Sequence, residues 1–347
     1  MSGAEVAMTT PAPAEEPQPA VRRLPSGWRV VAAKEFADHI HSLRFGILFL
    51  VLGLAAVVPL YFVATTLRSA AEQVSGAKAI FLALFVFDAQ PATGFTIPAV
   101  YGFVGIVAPL LGVAFSFDAI NAERSDGTLP RLLSQPIYRD HVIIGKFVAG
   151  LAVIMVVLVS VVLLISGFGI FRLGIVPDAQ AIFRVIAWLG FTIVWVSLWL
   201  AFGLLLSVVI RRAATAALAG FGVWVLLQVF GQLIVGLIAG LVAPFQSATS
   251  DAAYLDLKNL SDAINRILPL TLYDEGSRVL LNPTKVTVGQ LAPTLGQVAQ
   301  QQQQIPSLLS LDQSLLLVWP HIAILVALTL GCFALAFVRF MRQEVRA

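Results

Sequence analysis

The sequence predicts an all-α membrane protein. It would have six transmembrane helices, an N-terminal interfacial amphipathic helix, a short cytoplasmic helix between the second and third spans, and a long extracytoplasmic loop between the fifth and sixth. Two observations carry the class. Of the 347 residues, 59% are apolar and only 12% are charged, against roughly 25% charged in a soluble domain. Apolar runs longer than the ~18 residues that mark a membrane helix recur along the chain. A third observation, the placement of lysine and arginine, sets the orientation.

Residues 1–24 are rich in Pro, Ala and Glu and lack the basic start and apolar core of a signal peptide, which reads as a disordered cytoplasmic tail. Residues 25–44 form the amphipathic helix. Pro25, Ser26 and Gly27 resemble a helix start. Ala32, Ala33, Phe36, Ile40 and Leu43 share one face, and Lys34, Asp38, His41 and Ser42 lie opposite, with Arg29 and His39 breaking the pattern. Such a helix lies in the headgroup plane; the plainer alternative is a lead-in to the first span.

Within residues 45–242 the apolar runs place spans at 45–66, 98–117, 142–171, 183–210 and 213–242, and the last span falls at 315–340 inside the C-terminal segment 315–347. The second run begins and bends with proline. The run AIFLALFVF, residues 79–87, is too short to cross and reads as interfacial or re-entrant. Residues 243–314 form the long outer loop, with helix-like spacing at Leu257, Leu260, Ile264 and Ile267, the stretch LPLTLYDEGSRVLLNP and a spacer of five glutamines, Gln300 to Gln304. A loop of this length invites an extracytoplasmic partner.

With the N-terminus inside, the inner segments hold fourteen lysines and arginines and the outer segments eight, four of which sit in the long loop. Loops beyond ~60 residues hardly count toward the positive-inside rule, so both termini are expected in the cytoplasm of a cell-membrane protein. The net charge is only +3 and the basic residues form no patch, which argues against nucleic acid. The single cysteine, Cys332, supports neither a disulfide nor a thiolate metal site, and the four scattered histidines form no H-E-x-x-H. No acidic or basic residue lies deep within a predicted span, which disfavours an ion-coupled carrier. No acid–base or metal cluster supports an embedded enzyme.

The cytoplasmic segment 118–141 concentrates polarity in NAERSDGTLPRLLSQPIYRD, residues 121–140. Thr128 can cap a helix, Pro130 suits a first turn and Pro136 discourages continuation beyond Gln135. Leu129, Leu132 and Leu133 then share one side, and Gly127 permits a sharp bend before it. The pattern describes a two-turn knob with a leucine face that needs a partner or lipid; the alternative is a wet re-entry loop. In the spans, Trp188, Trp195 and Trp199 form one stripe, suited to interfacial, lipid-facing anchoring for Trp188 and packing for the others, or to substrate stacking. Trp224, Gln228 and Gln232 recur at i, i+4 and i+8, and amides there are either interhelical glue or the lining of a translocation path. Gly236 and Gly240, and the stripe Gly102, Gly105, Pro109 and Gly112, favour close helix contacts.

Residues 117–150, FDAINAERSDGTLPRLLSQPIYRDHVIIGKFVAG, resemble the signature of the type-2 ABC export permeases. That signature runs from an acidic residue through Gly-Thr-Leu, paired leucines, a proline and an arginine to a Gly-Lys entering the next span. Glu123, Gly127, Thr128, Leu129, Leu132, Leu133, Pro136, Arg139, Gly145 and Lys146 stand in those places. The resemblance extends to the N-terminal helix, the six-span plan and LYDEGSRVLLNP. It implies that the knob is a coupling helix docking into a groove of a separate ABC ATPase subunit, present in two copies, with Arg131 and Arg139 facing acidic groups there. It also implies pairing with a second copy of this chain or a related permease, in the lipid bilayer. No G-x-x-x-x-G-K-[ST] occurs, and Gly145–Lys146 is followed by Phe147; this chain is therefore expected to be no enzyme and to bind no cofactor, ATP and Mg belonging to the partner. A rival expectation is a mechanical transmitter that moves the outer loop against an extracytoplasmic protein without carrying a solute.

Overall fold

The computed structural model describes residues 27–69, 80–88, 97–128, 138–242, 251–282 and 309–343. Every regular element among them is a helix. Five helices are long and apolar enough to cross a membrane: Leu43–Thr65, Arg139–Leu173, Ala179–Val209, Ala213–Val242 and Leu311–Met341. They coincide with the first, third, fourth, fifth and sixth expected spans. We label the elements α1 (Gly27–Ile40), α2 (Leu43–Ser69), α3 (Ile80–Val86), α4 (Val100–Ala114), α5 (Asn121–Ser125), α6 (Arg139–Leu173), α7 (Ala179–Val209), α8 (Ala213–Val225), α9 (Gly231–Val242), α10 (Asp251–Asn265), α11 (Pro269–Leu281) and α12 (Leu311–Met341). A π-helical turn, Leu226–Phe230, joins α8 to α9.

The expected second span differs. Its regular helix, α4, has 15 residues, about 22 Å of rise against a hydrocarbon thickness of ~30 Å. Pro109 interrupts its hydrogen-bond ladder, and the chain leaves the helix after Ala114 to turn through residues 115–120 into α5. What α4 lacks in length it gains in burial, lying among α2, α7, α8 and α11. Gly112 makes the α7 contact possible, since a Cβ there would stand 2.7 Å from the backbone nitrogen of Leu200.

α7 is the centre of the bundle, packed against α4, α6, α11 and α12. Leu52, Leu60, Phe85, Leu111, Trp188, Trp195, Tyr273 and Leu325 form its buried core. The short run at residues 79–87 becomes α3, with Phe81 to Phe87 buried among α2, α4, α7 and α11 rather than spread on an interface. Gly236 and Gly240 have nothing within 4 Å of an added Cβ, so the close contact expected of them is not made among the described residues.

The N-terminal helix forms where expected, with its inward face shifted part of the way round from the expected stripe. α1 packs along α6 through buried Val31 and half-buried Trp28, Glu35 and His39; Phe36 and Ile40 of the expected apolar stripe also pack against the core, while its Ala33 and Leu43 are exposed. Glu35, on the inward side, is ion-paired to Lys146 of α6. The described parts of the outer loop are also built into the bundle. α10 packs on α9, and α11 inserts among α4, α7 and α12. The N-terminal tail and the glutamine run lie outside the described residues.

Candidate functional site

One end of the bundle holds the two stems that flank residues 129–137, within the segment expected to be cytoplasmic. α5 forms the first. It ends in a Schellman motif: Thr128 N donates to Glu123 O (2.9 Å), Gly127 N donates to Arg124 O (3.3 Å), and Gly127 takes φ +66. Glycine meets that left-handed φ without a Cβ penalty. The Thr128 hydroxyl also donates back to Glu123 O (3.2 Å). α5 is fixed to α7 through Ser207, whose Oγ accepts the backbone N–H of Ile120 (2.8 Å) and Asn121 (3.2 Å). The Asn121 amide donates to Ile210 O (3.3 Å). These contacts answer N–H and C=O groups that helix ends leave unpaired.

The second stem is the start of α6, and Lys146 joins it to everything nearby. Its buried ammonium lies 3.0 Å from Glu35 on α1 and 2.8 Å from Glu123 on α5. Lys34 also reaches Glu35 (3.2 Å). Burial works to raise the Glu35 carboxyl, but Lys146 and Lys34 outweigh it and hold it below the ordinary carboxylate value. Gly145 completes the joint, because a Cβ there would sit 2.7 Å from Val31 Cβ and 2.9 Å from Trp28 O. The Gly-Lys pair thus serves α1 docking: the glycine lets the helix approach and the lysine binds it. A second ion pair, Arg44 to Asp118 (2.9 Å), ties α2 to the chain entering α5.

The chain after α12 closes the base. The Gln343 side chain accepts from Arg124 of α5 and donates to Val208 O of α7 (2.9 Å), and its backbone carbonyl accepts from Arg139 of α6 (3.2 Å). Of the expected coupling residues, Glu123, Gly127, Thr128 and Arg139 therefore meet at the two stems. Leu129, Arg131, Leu132, Leu133 and Pro136 lie outside the described residues.

The residues offered for a translocation path do not converge on one opening. Trp195 is fully buried; its indole N–H donates to Gly105 O (3.0 Å) and its ring stacks on Tyr273 (5.4 Å between centroids). Trp199 is buried edge-on to Trp195. Gln228 is buried in the π turn. Gln232 is bonded to Thr271 of α11 (3.0 Å). The tryptophans have a backbone reason to be where they are. Pro109 has no N–H to give Gly105 O, the usual i−4 acceptor. Trp195 supplies that proton, and Trp224 caps the next carbonyl, Ile106 O (2.9 Å).

At the other end of the bundle α11 is held by charge. Glu275 accepts from His321 of α12 (3.0 Å) and Arg266 (2.8 Å). Burial disfavours its carboxylate, yet these partners hold its pKa below the ordinary value. Arg278 pairs with Asp274 (2.9 Å) and donates to the Tyr101 hydroxyl (2.6 Å). Buried Arg184 of α7 donates to Leu280 O (2.9 Å), to the Ser314 hydroxyl (3.1 Å) and to Leu309 O. Sequence reasoning missed Glu35, Ser207, Gln343 and this outer cluster. Glu35, Ser207 and Gln343 work through partners distant in sequence, as Glu275 does through His321, and only the Gly-Lys of the signature pointed toward one of them.

The profile of the family described as ABC-2 family transporter protein matches residues 29–345. The chain belongs to the ABC-2 transporter family. This ABC-2 protein is also 31% identical over 156 residues to the probable ABC transporter permease protein NosY of Stutzerimonas stutzeri. The match takes in 43% of this chain and 52% of that protein, so the ABC-2 chain spans about half the length of the relative. Family and helices together make it an integral membrane permease subunit of the ABC-2 type.

Proposed function

We propose that this permease is the membrane half of an exporter driven by a separate ABC ATPase, two copies of which would act on the segment 118–141. ATP and Mg would be bound by that partner. The observation that carries this reading is the base of the segment. Lys146 clamps α1, α5 and α6 together, so the described residues on either side of 129–137 make a stiff mount. A stiff mount passes on a push that a loose loop would absorb. Leu129, Leu132 and Leu133 would fill the ATPase groove, and Arg131 would meet acidic groups on its rim. Both termini would then be cytoplasmic, and a second copy of the chain or a related permease would complete the path. Gln228 and Gln232 place amides along the otherwise apolar α8–α9, which suits an amphiphilic substrate.

The test replaces Leu132 and Leu133 with Asp. The tagged variant should insert in the membrane as the parent does but no longer retain an ATPase subunit on purification; retention at the parental level would overturn the assignment. The transmitter reading keeps one supporting observation. α11 is bolted to α7 and α12, so movement of those spans would carry the outer elements with it. Vesicles holding the complex separate the two: ATP-dependent movement of co-purified lipid or solute supports export, and ATP turnover without any movement supports the transmitter.

A further inference from the structure

We propose that Gln343 is a positioning residue for energy coupling, clasping both stems of the cytoplasmic segment to the inner ends of α7 and α12. The proposal rests on the reading that an ATPase acts on that segment. Under it, a displacement of the segment reaches α12 as directly as it reaches α6.

Three contacts meet on this residue. Arg124, before the segment, donates to its side-chain oxygen, and Arg139, after the segment, donates to its backbone carbonyl. Its side-chain nitrogen donates to Val208 O in the last turn of α7. That carbonyl lies where α7 has no further N–H to offer it. The carbonyl of Gln343 lies beyond the end of α12 and is free to serve Arg139 for the same reason. The amide is suited to this position because it accepts and donates at once. A carboxylate would hold Arg124 but could not donate to Val208 O, and an apolar side chain would serve neither.

The consequence lies at the far end of the same helices. α12 runs from Gln343 to Ser314 and His321, which hold Arg184 and Glu275. α7 runs from Val208 to Arg184. The segment stems and the outer helix α11 are therefore linked by the same two rods, and Gln343 is the inner joint of both.

The experiment uses the full-length permease with its co-purified ATPase in lipid nanodiscs, and compares hydrogen–deuterium exchange with and without ATP, Mg and vanadate. In the parent, vanadate trapping should change exchange near the start of α6 and also along α11 and α12. In Gln343→Ala the change near α6 should persist while that in α11 and α12 falls at least twofold. Arg124→Ala should reproduce this, and the double variant should be no worse than either single one, as expected of two groups sharing one interaction. The backbone contact to Arg139 survives every substitution at this position; Gln343→Glu, which also keeps the Arg124 contact but loses the donation to Val208 O, should fall between. Should Gln343→Ala fail to fold, Arg124→Ala carries the same expectation. A parental response of α11 and α12 in folded Gln343→Ala or Arg124→Ala overturns the proposal while leaving the ATPase reading intact. If the parent retains no ATPase, or shows no change near α6, the reading beneath it fails as well.

Discussion

Lys146 is the side chain whose removal should cost the inner end most. It faces two carboxylates in a buried setting; taking away one partner of a buried ion pair costs about 3–5 kcal/mol, and the loss here falls toward the lower figure because Lys34 still faces Glu35. Lys146→Met should therefore release α1, seen as faster hydrogen exchange across Gly27–Ile40 with the spans unchanged. Gly145→Ala tests the same joint by volume. Its Cβ would press on Val31 and the Trp28 carbonyl, and such overpacking costs about 1–3 kcal/mol. The joint also has a pH signature. Glu35 has a folded pKa below its ordinary value of 4.5, so its contribution is complete above that value and drains away as pH falls through the lower one. Burial also holds His39, on the same helix, below its ordinary value, so that group destabilises α1 as pH falls through that value; in His39→Gln, exchange of α1, corrected for intrinsic rate, should stay flat from neutrality to about pH 5 and rise only in stronger acid. A rise between pH 7 and pH 6 would refute the assignment.

α4 and α11 show how one element depends on another for groups it cannot satisfy itself. Pro109 leaves α4 with a carbonyl lacking its helical donor, and Trp195 of α7 donates to it. Trp195→Phe keeps most of the ring's packing but strands Gly105 O, at a cost of about 1–3 kcal/mol; increased exchange around the proline bend checks it. Tyr273 lies between Phe191 and Trp195 and fills the space over Gly105. Tyr273→Ala should loosen Pro269–Leu281 by about 3–5 kcal/mol, as for other large aromatic deletions in cores. The long helices were readable from residue type alone, since length and continuous apolarity decide them: residues 142–171 became Arg139–Leu173 and residues 183–210 became Ala179–Val209. The insertion of α11 was not readable. Asp274, Glu275 and Arg278 mark it as wet, and partners such as Tyr101 and His321 from distant parts of the chain, with Arg266 just before the helix, make its burial affordable. The docked face of α1 was legible only in part: Phe36 and Ile40 of its apolar stripe pack against the core, but Glu35 reads as wet until Lys146 is placed beside it.

At the scale of the molecule, the bundle carries a polar joint at each end and an apolar middle. The signature residues announced the inner joint, but not that α1 and the end of the chain would share it. Glu35 and Gln343 look like ordinary surface residues until Lys146 and Arg124 are placed beside them. The outer joint turns on Arg184, which holds the end of α11, the residues before α12 and α12 itself. Arg184→Ala should therefore raise exchange in α11 and the first turns of α12 together, whereas Arg266→Ala, which removes only one of Glu275's two partners, should affect α11 alone. Arg184 has a further consequence. It gives its protons to carbonyl and hydroxyl oxygens, and a guanidinium keeps its charge throughout the range in which proteins survive. That clasp has no proton to gain on acidification, whereas Glu35 beside Lys146 and Glu275 on α11 do. Progressive acidification should thus loosen the carboxylate pairs at either end of the bundle before the clasp at Arg184 gives way.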